Sequence, residues 1–136
     1  MNPISPKYTR GAVGELLVQL RLLQFDVQAA PPIKDSGNDL IAVRAHTFKA
    51  IQVKTTTGDT YPVADLPEFY HLLAVVYLAG EDSRLFLDQS RVFLIPKERV
   101  PDAPRRIDRI GEFALSQEHI DALFGPRHLA FYEPVA

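Results

Sequence analysis

Four polar residues stand where the surrounding pattern does not ask for them, and their types could together serve phosphodiester hydrolysis. Glu15 interrupts a helical stretch beside Gly11 and Gly14, and Asp39 opens the apolar run Leu40-Ile41-Ala42-Val43. Gln52 and Lys54 lie inside Ala50-Ile51-Gln52-Val53-Lys54. Two apart in a strand, they share one face, with Ile51 and Val53 on the other. Cutting a phosphodiester calls for a divalent ion that stabilises charge on the phosphoryl oxygens and acidifies the attacking water. Magnesium takes oxygen ligands, typically one or two carboxylates with several retained waters. Asp39 would be the carboxylate ligand, the Gln52 amide oxygen a neutral second ligand and the Val53 main-chain carbonyl a further one. Glu15 would hold a metal-bound water, and Lys54 would orient the nucleophile or stabilise developing negative charge.

The elements that must position these residues can be read from periodicity and punctuation. Val13, Leu16, Leu17, Leu20 and Leu23 fall at helical spacing and predict a helix over 9–24, started by Ser5-Pro6 or by Thr9. Short strands are expected at 27–30, stopped by Pro31-Pro32, at 39–44 and at 48–55, with a tight turn around Ala45-His46-Thr47. A short helix before residue 71 and a strand over 72–78 follow. Leu85–Leu87 and Val92–Ile95 read as a further hairpin, and the proline- and arginine-rich segment 101–110 as a surface loop. Ser116 caps a last helix that Gly125 ends. Helix, three strands, short helix, strands and C-terminal helix make an α/β fold, a mixed sheet flanked by helices.

A chain of 136 residues with 46% apolar and 24% charged residues suits one globular domain. The absence of cysteine excludes disulfides, thiolate metal sites and a cysteine nucleophile. With no signal peptide or membrane span in view, a cytoplasmic protein is expected. The net charge of −2 is unevenly spread. Residues 1–64 carry seven Lys+Arg against five Asp+Glu, and residues 65–136 eight against twelve. Nucleic-acid binding responds to the local field, so the overall charge neither supports nor excludes it.

Three segments resemble the PD-(D/E)xK nuclease superfamily, especially group I intron homing endonucleases and archaeal Holliday junction resolvases. They are Gly11-Ala12-Val13-Gly14-Glu15 on the first helix, Gly37-Asn38-Asp39-Leu40 entering a strand and Gln52-Val53-Lys54 on the next. Arg91-Val92-Phe93-Leu94-Ile95-Pro96 is similar to the closing strand of that core. The resemblance implies a restriction-endonuclease-like core over about residues 5–100 of a single domain, with 101–136 as a C-terminal extension. It also implies Mg²⁺-dependent DNA cleavage, with Mn²⁺ as a substitute ion, by homodimers or homotetramers. The catalytic set would be Glu15, Asp39, Gln52 and Lys54, with metal held by Asp39, Gln52, Val53 and Glu15. The departure is Gln52, where most members carry glutamate; it removes one negative charge from the metal site.

Each element alone has an ordinary explanation. A helical Glu is usually solvated, an Asp at a strand entrance usually ends a turn, and Gln-x-Lys is commonly the wet face of an edge strand. Only their combination, in order and on these elements, points to a site. Lys7, Arg10, Lys34, Arg105 and Arg106 are candidates for phosphate contact, with Arg109 in the same basic cluster. His46, His71, His119 and His128 have no metal spacing and read as structural or exposed. The alternative to an endonuclease is a nuclease-fold domain that binds DNA or assembles without cutting. Alternation adds a geometric condition: opposed residues of an antiparallel hairpin share a face. A three-residue loop would set Asp39 opposite Val53 and turn it away from Gln52 and Lys54. A two- or four-residue loop, or a bulge, sets it beside one of them.

Overall fold

The computed structural model describes residues 6–34, 37–81 and 84–126. Helix α1 (Pro6–Leu23) is followed by strands β1 (Gln28–Ala30), β2 (Leu40–Arg44), β3 (Thr47–Thr56), β4 (Leu72–Glu81) and β5 (Arg84–Pro96). Three 3₁₀ turns and helix α2 (Gln117–Phe124) complete the described chain. Sheet order equals chain order. All neighbours are antiparallel except β3 and β4, which are parallel. The result is the expected mixed α/β sheet.

Local chemistry sets the helix boundaries. Proline opens α1, where a missing N–H costs nothing. The helix stops where Asp26 turns into the left-handed region at φ 62 and the Val27 N–H closes back on the Leu22 carbonyl. In α2 the Ser116 hydroxyl accepts the His119 N–H at 3.0 Å, and Gly125, at φ 84, donates to the Asp121 carbonyl.

Both helices cover one face of the sheet. Leu17, Val18 and Leu22 of α1 and Ile120 and Phe124 of α2 pack on Leu40, Ala42, Ile51, Val53, Leu72, Ala74, Val76 and Leu94. The other face carries Leu73, Val75, Phe93 and Ile95 beneath Tyr61, Tyr70, Val100, Ile107, Ile110 and Phe113. Interior strand β4 is therefore buried on both sides, which is why 72–79 reads as unbroken apolar sequence. Among the described residues no helix is long and apolar enough to cross a membrane.

Four local expectations are corrected. The apolar stripe on α1 divides: Leu17 is buried, but Leu16, Leu20 and Leu23 are 62%, 55% and 57% exposed, and Val18 and Leu22 take the inner places. α1 carries apolar residues on more than one side, so spacing alone allows more than one inward face. The short helix before residue 71 is absent; 64–71 is a turn and bends, with Asp65 held at φ 60. Residues 85–87 and 92–95 do not pair with each other. They belong to the single strand β5 on β4, and the register shift past Tyr77 leaves 87–90 as an irregular excursion. Ser90 fills the gap there, its hydroxyl accepting the Ala79 N–H and donating to the Phe86 carbonyl. Segment 101–110 is more than a surface loop, because Ile107 and Ile110 plug the second core.

The two glycines of α1 behave differently. A Cβ on Gly14 would overlap the Thr55 hydroxyl of β3, whereas a Cβ on Gly11 meets nothing within 4 Å. Gly14 is thus where the helix crosses the sheet. Gly14→Ala is expected to lose about 1–3 kcal/mol through overpacking, while Gly11→Ala gains up to about 1 kcal/mol of helix propensity. Denaturant unfolding of the two variants checks this; equal effects would contradict the crossing.

Candidate functional site

The β2–β3 turn has two residues, Ala45 and His46. Arg44 faces Thr47 and Leu40 faces Ile51, an even-loop register. The pairing stops at Leu40; extended by one step, this register would set Asp39 opposite Gln52, on the face that Gln52 and Lys54 share. Gln52 and Lys54 lie beside Leu73 and Val75 of β4. The chain before Asp39 turns through Gly37 at φ 86, a conformation that suits glycine.

Here β2 begins, while β3 continues past it. The Asp39 N–H reaches the Ile51 carbonyl at 3.2 Å, and its carboxylate Oδ2 accepts the Val53 N–H at 2.8 Å. The carboxylate therefore takes the place of the next β2 residue in the ladder. In a strand the N–H and C=O of one residue leave on the same side, so the Val53 carbonyl faces this same open edge. Ionised, Asp39 retains acceptor capacity beyond that one bond.

Glu15 approaches from α1. It lines an open cleft of about 580 Å³ with Arg10, Val53, Lys54 and Thr55. Burial pushes its carboxyl pKa up, and the neighbouring Asp39 charge pushes it further in the same direction. Asp39 and Gln52 do not line the cleft itself; the Asp39–Val53 bond joins Asp39 to it. The structure thus brings Glu15, Val53 and Lys54 to one cleft and fastens Asp39 to Val53 beside it, while Gln52 lies between Ile51 and Val53 on β3.

The raised Glu15 pKa has a consequence for stability. Its contribution is fully present below the ordinary carboxyl value of 4.5 and is lost as pH rises through the folded pKa. Glu15→Gln is therefore expected to stabilise the metal-free protein at neutral pH and to be close to neutral below that value. Thermal melts across pH 3.5–8 measure the difference, and a destabilised variant at pH 7 would contradict the crowding of charge.

Two further oxygens at this edge are buried with no hydrogen-bond partner, Gln52 Oε1 and Asn38 Oδ1. Sequence reasoning passed over Asn38 as a loop residue, and also over Asp65, which lines the cleft. Neither carries a local signal, since polar residues in turns are common. Among the described residues no three His, Asp or Glu side chains gather as a metal cluster.

The proposed phosphate contacts separate. Arg10 lines the cleft, Lys34 is exposed in the β1–β2 connection, and the Lys7 side chain lies outside the described residues. Arg105 is engaged by its own fold. Its guanidinium donates to the Val100 and Ala103 carbonyls at 2.9 and 2.8 Å and lies over the Tyr61 ring. Arg106 is exposed but bound through two nitrogens to Asp108, which raises its pKa. Of the histidines, His71 Nδ1 accepts the Ala50 N–H and His119 Nε2 contacts the Leu94 carbonyl. His46 sits in the β2–β3 turn, and His128 falls outside the described residues.

No protein-family model and no curated protein sequence matches the chain. Among solved structures it is similar to a bacterial homing endonuclease, I-Ssp6803I, with a TM-score of 0.51 and 15% identity. The match covers 76% of this chain and 73% of that one. At such identity the likeness speaks for architecture, and the architecture is a mixed α/β, nuclease-like core.

Proposed function

We propose that the protein is a metal-dependent endonuclease that hydrolyses DNA phosphodiester bonds, built on the PD-(D/E)xK plan. The observation that carries this reading is the setting of Asp39. It is fixed to the Val53 N–H at the edge where β2 and β3 part, just beyond the Leu40–Ile51 pair, with Glu15 close enough to feel its charge. The residues fit a divalent ion such as Mg²⁺ or Mn²⁺. Two carboxylates, the open-edge Val53 carbonyl and the unpartnered Gln52 amide oxygen form an all-oxygen set of the kind magnesium accepts. Asp39, Gln52, Val53 and Glu15 would hold it.

When bound, such an ion would stabilise charge on the phosphoryl group and acidify a water. Glu15, its pKa raised, is suited to hold that water and take up a proton on its carboxylate. The Lys54 ammonium, in the same cleft, orients the nucleophile or offsets developing negative charge. Arg10 is placed to meet a phosphate at the cleft rim. The similar solved structure is that of a homing endonuclease, which supports DNA as the substrate. One site cuts one strand, so the reading entails a homodimer or homotetramer for cutting a duplex, acting in the cytoplasm.

Incubation with supercoiled, linear and branched DNA tests this, with Mg²⁺, Mn²⁺ or EDTA. Cleavage of at least one form with metal, and none in EDTA, is expected. Binding without cleavage under every condition would instead identify a non-cutting DNA-binding domain of the same fold.

A further inference from the structure

We infer that Asn38 supplies a second neutral oxygen to the cation site, an inference that rests on the metal-dependent reading above. Among the described residues only three buried side-chain polar atoms lack a hydrogen-bond partner, and two of them flank Asp39. Asn38 Oδ1 precedes it in the chain, and Gln52 Oε1 belongs to the residue between Ile51, which accepts the Asp39 N–H, and Val53, which donates to its carboxylate. The third, Arg44 Nη1, belongs to a guanidinium held by Asp121 of α2, at the far end of β2.

Buried polar atoms are nearly always satisfied, and exceptions in a folded protein call for a missing partner. Both orphans beside Asp39 are amide oxygens, which can only accept. The Asp39 carboxylate, next to Asn38 in the chain, is itself an acceptor, already using one oxygen on the Val53 N–H. Each orphaned oxygen lacks a donor, and a cation beside Asp39, or a water carried by it, would supply what they lack. A second neutral oxygen also suits the site's charge. With glutamine in place of glutamate, the set has two carboxylates, and a neutral ligand adds coordination without further repulsion on Glu15.

The experiment is calorimetric titration with Mn²⁺, paired with melting temperatures, on wild type, Asn38→Leu, Asn38→Asp and Asp39→Asn. Asn38→Leu removes the orphan acceptor at nearly constant size. It is expected to melt no lower than wild type without metal, yet to bind Mn²⁺ roughly tenfold more weakly. Asn38→Asp is expected to bind it more tightly and guards against a leucine variant that misfolds. Asn38 variants that bind Mn²⁺ within twofold of wild type, while Asp39→Asn binds poorly, overturn the role of Asn38 and leave the metal site standing. Mn²⁺ binding unchanged in Asp39→Asn as well, or absent from wild type, overturns the metal site and this inference with it.

Discussion

Asp39→Asn is expected to fold like the wild type and to cut DNA slower by roughly 10²–10³-fold or more, the scale for losing one electrostatic contact to a transition state. Asparagine is the informative replacement because the native carboxylate has a structural duty, accepting the Val53 N–H at 2.8 Å. An asparagine oxygen keeps that bond and removes only the charge. Asp39→Ala would also strand the N–H, at a cost of about 1–3 kcal/mol if it stays buried, and would mix a stability defect with a chemical one. Lys54→Ala tests the cleft that Lys54 lines with Glu15 and, on the proposed reading, should lower the rate on a similar scale. The measurement is the nicking rate of supercoiled DNA in Mg²⁺, with thermal melts to verify folding. Wild-type rates in either folded variant would remove the assigned site.

Gln52→Glu should bind metal more tightly and be less stable without it. A new carboxylate about 4 Å from a cation gains several kcal/mol per unit charge at an effective dielectric constant of roughly 20, reduced by solvent at an open edge. A gain of roughly ten- to a hundredfold in Mn²⁺ affinity is the expected net result. Without metal the same charge joins Asp39 and Glu15, whose carboxyl pKa is already raised by burial and by Asp39. It should raise that pKa again and lower the melting temperature at neutral pH. Paired calorimetry and melting curves report both effects. Unchanged metal affinity would contradict a ligand role for residue 52, and an unchanged metal-free melt would place its side chain away from the two acids.

The assay, the charge variants and the glycine pair examine different links of one chain of causes. Gly14 governs how closely α1 approaches β3, and that approach sets the height at which Glu15 meets the sheet edge. The register of β2 on β3 sets the face that Asp39 shares. Asp39 fastened to Val53 is where the two conditions meet.

Much of this was legible from the residues because it is local. Strand alternation puts Gln52 and Lys54 on one face whatever surrounds them, and an even turn is required to put Asp39 with them; the observed two-residue turn satisfies it. The caps of α2 and the doubly buried strand β4 likewise follow from composition within a few residues. What periodicity left open was decided by contacts between distant segments. Leu16, Leu20 and Leu23 fit an inward stripe as well as Val18 and Leu22 do. The helix is rotated to place Gly14 against Thr55, a partner 41 positions away. Residues 87–90 look like a hairpin turn, yet β4 offers one continuous edge and Ser90 stitches the irregularity into it. Ile107 and Ile110 carry no strong signal in a proline- and arginine-rich segment, but the second sheet face would otherwise lie open to water. The raised pKa of Glu15 and the unpartnered oxygens of Asn38 and Gln52 are likewise tertiary facts. Burial and charge proximity are properties of the assembled edge, and no single segment possesses them.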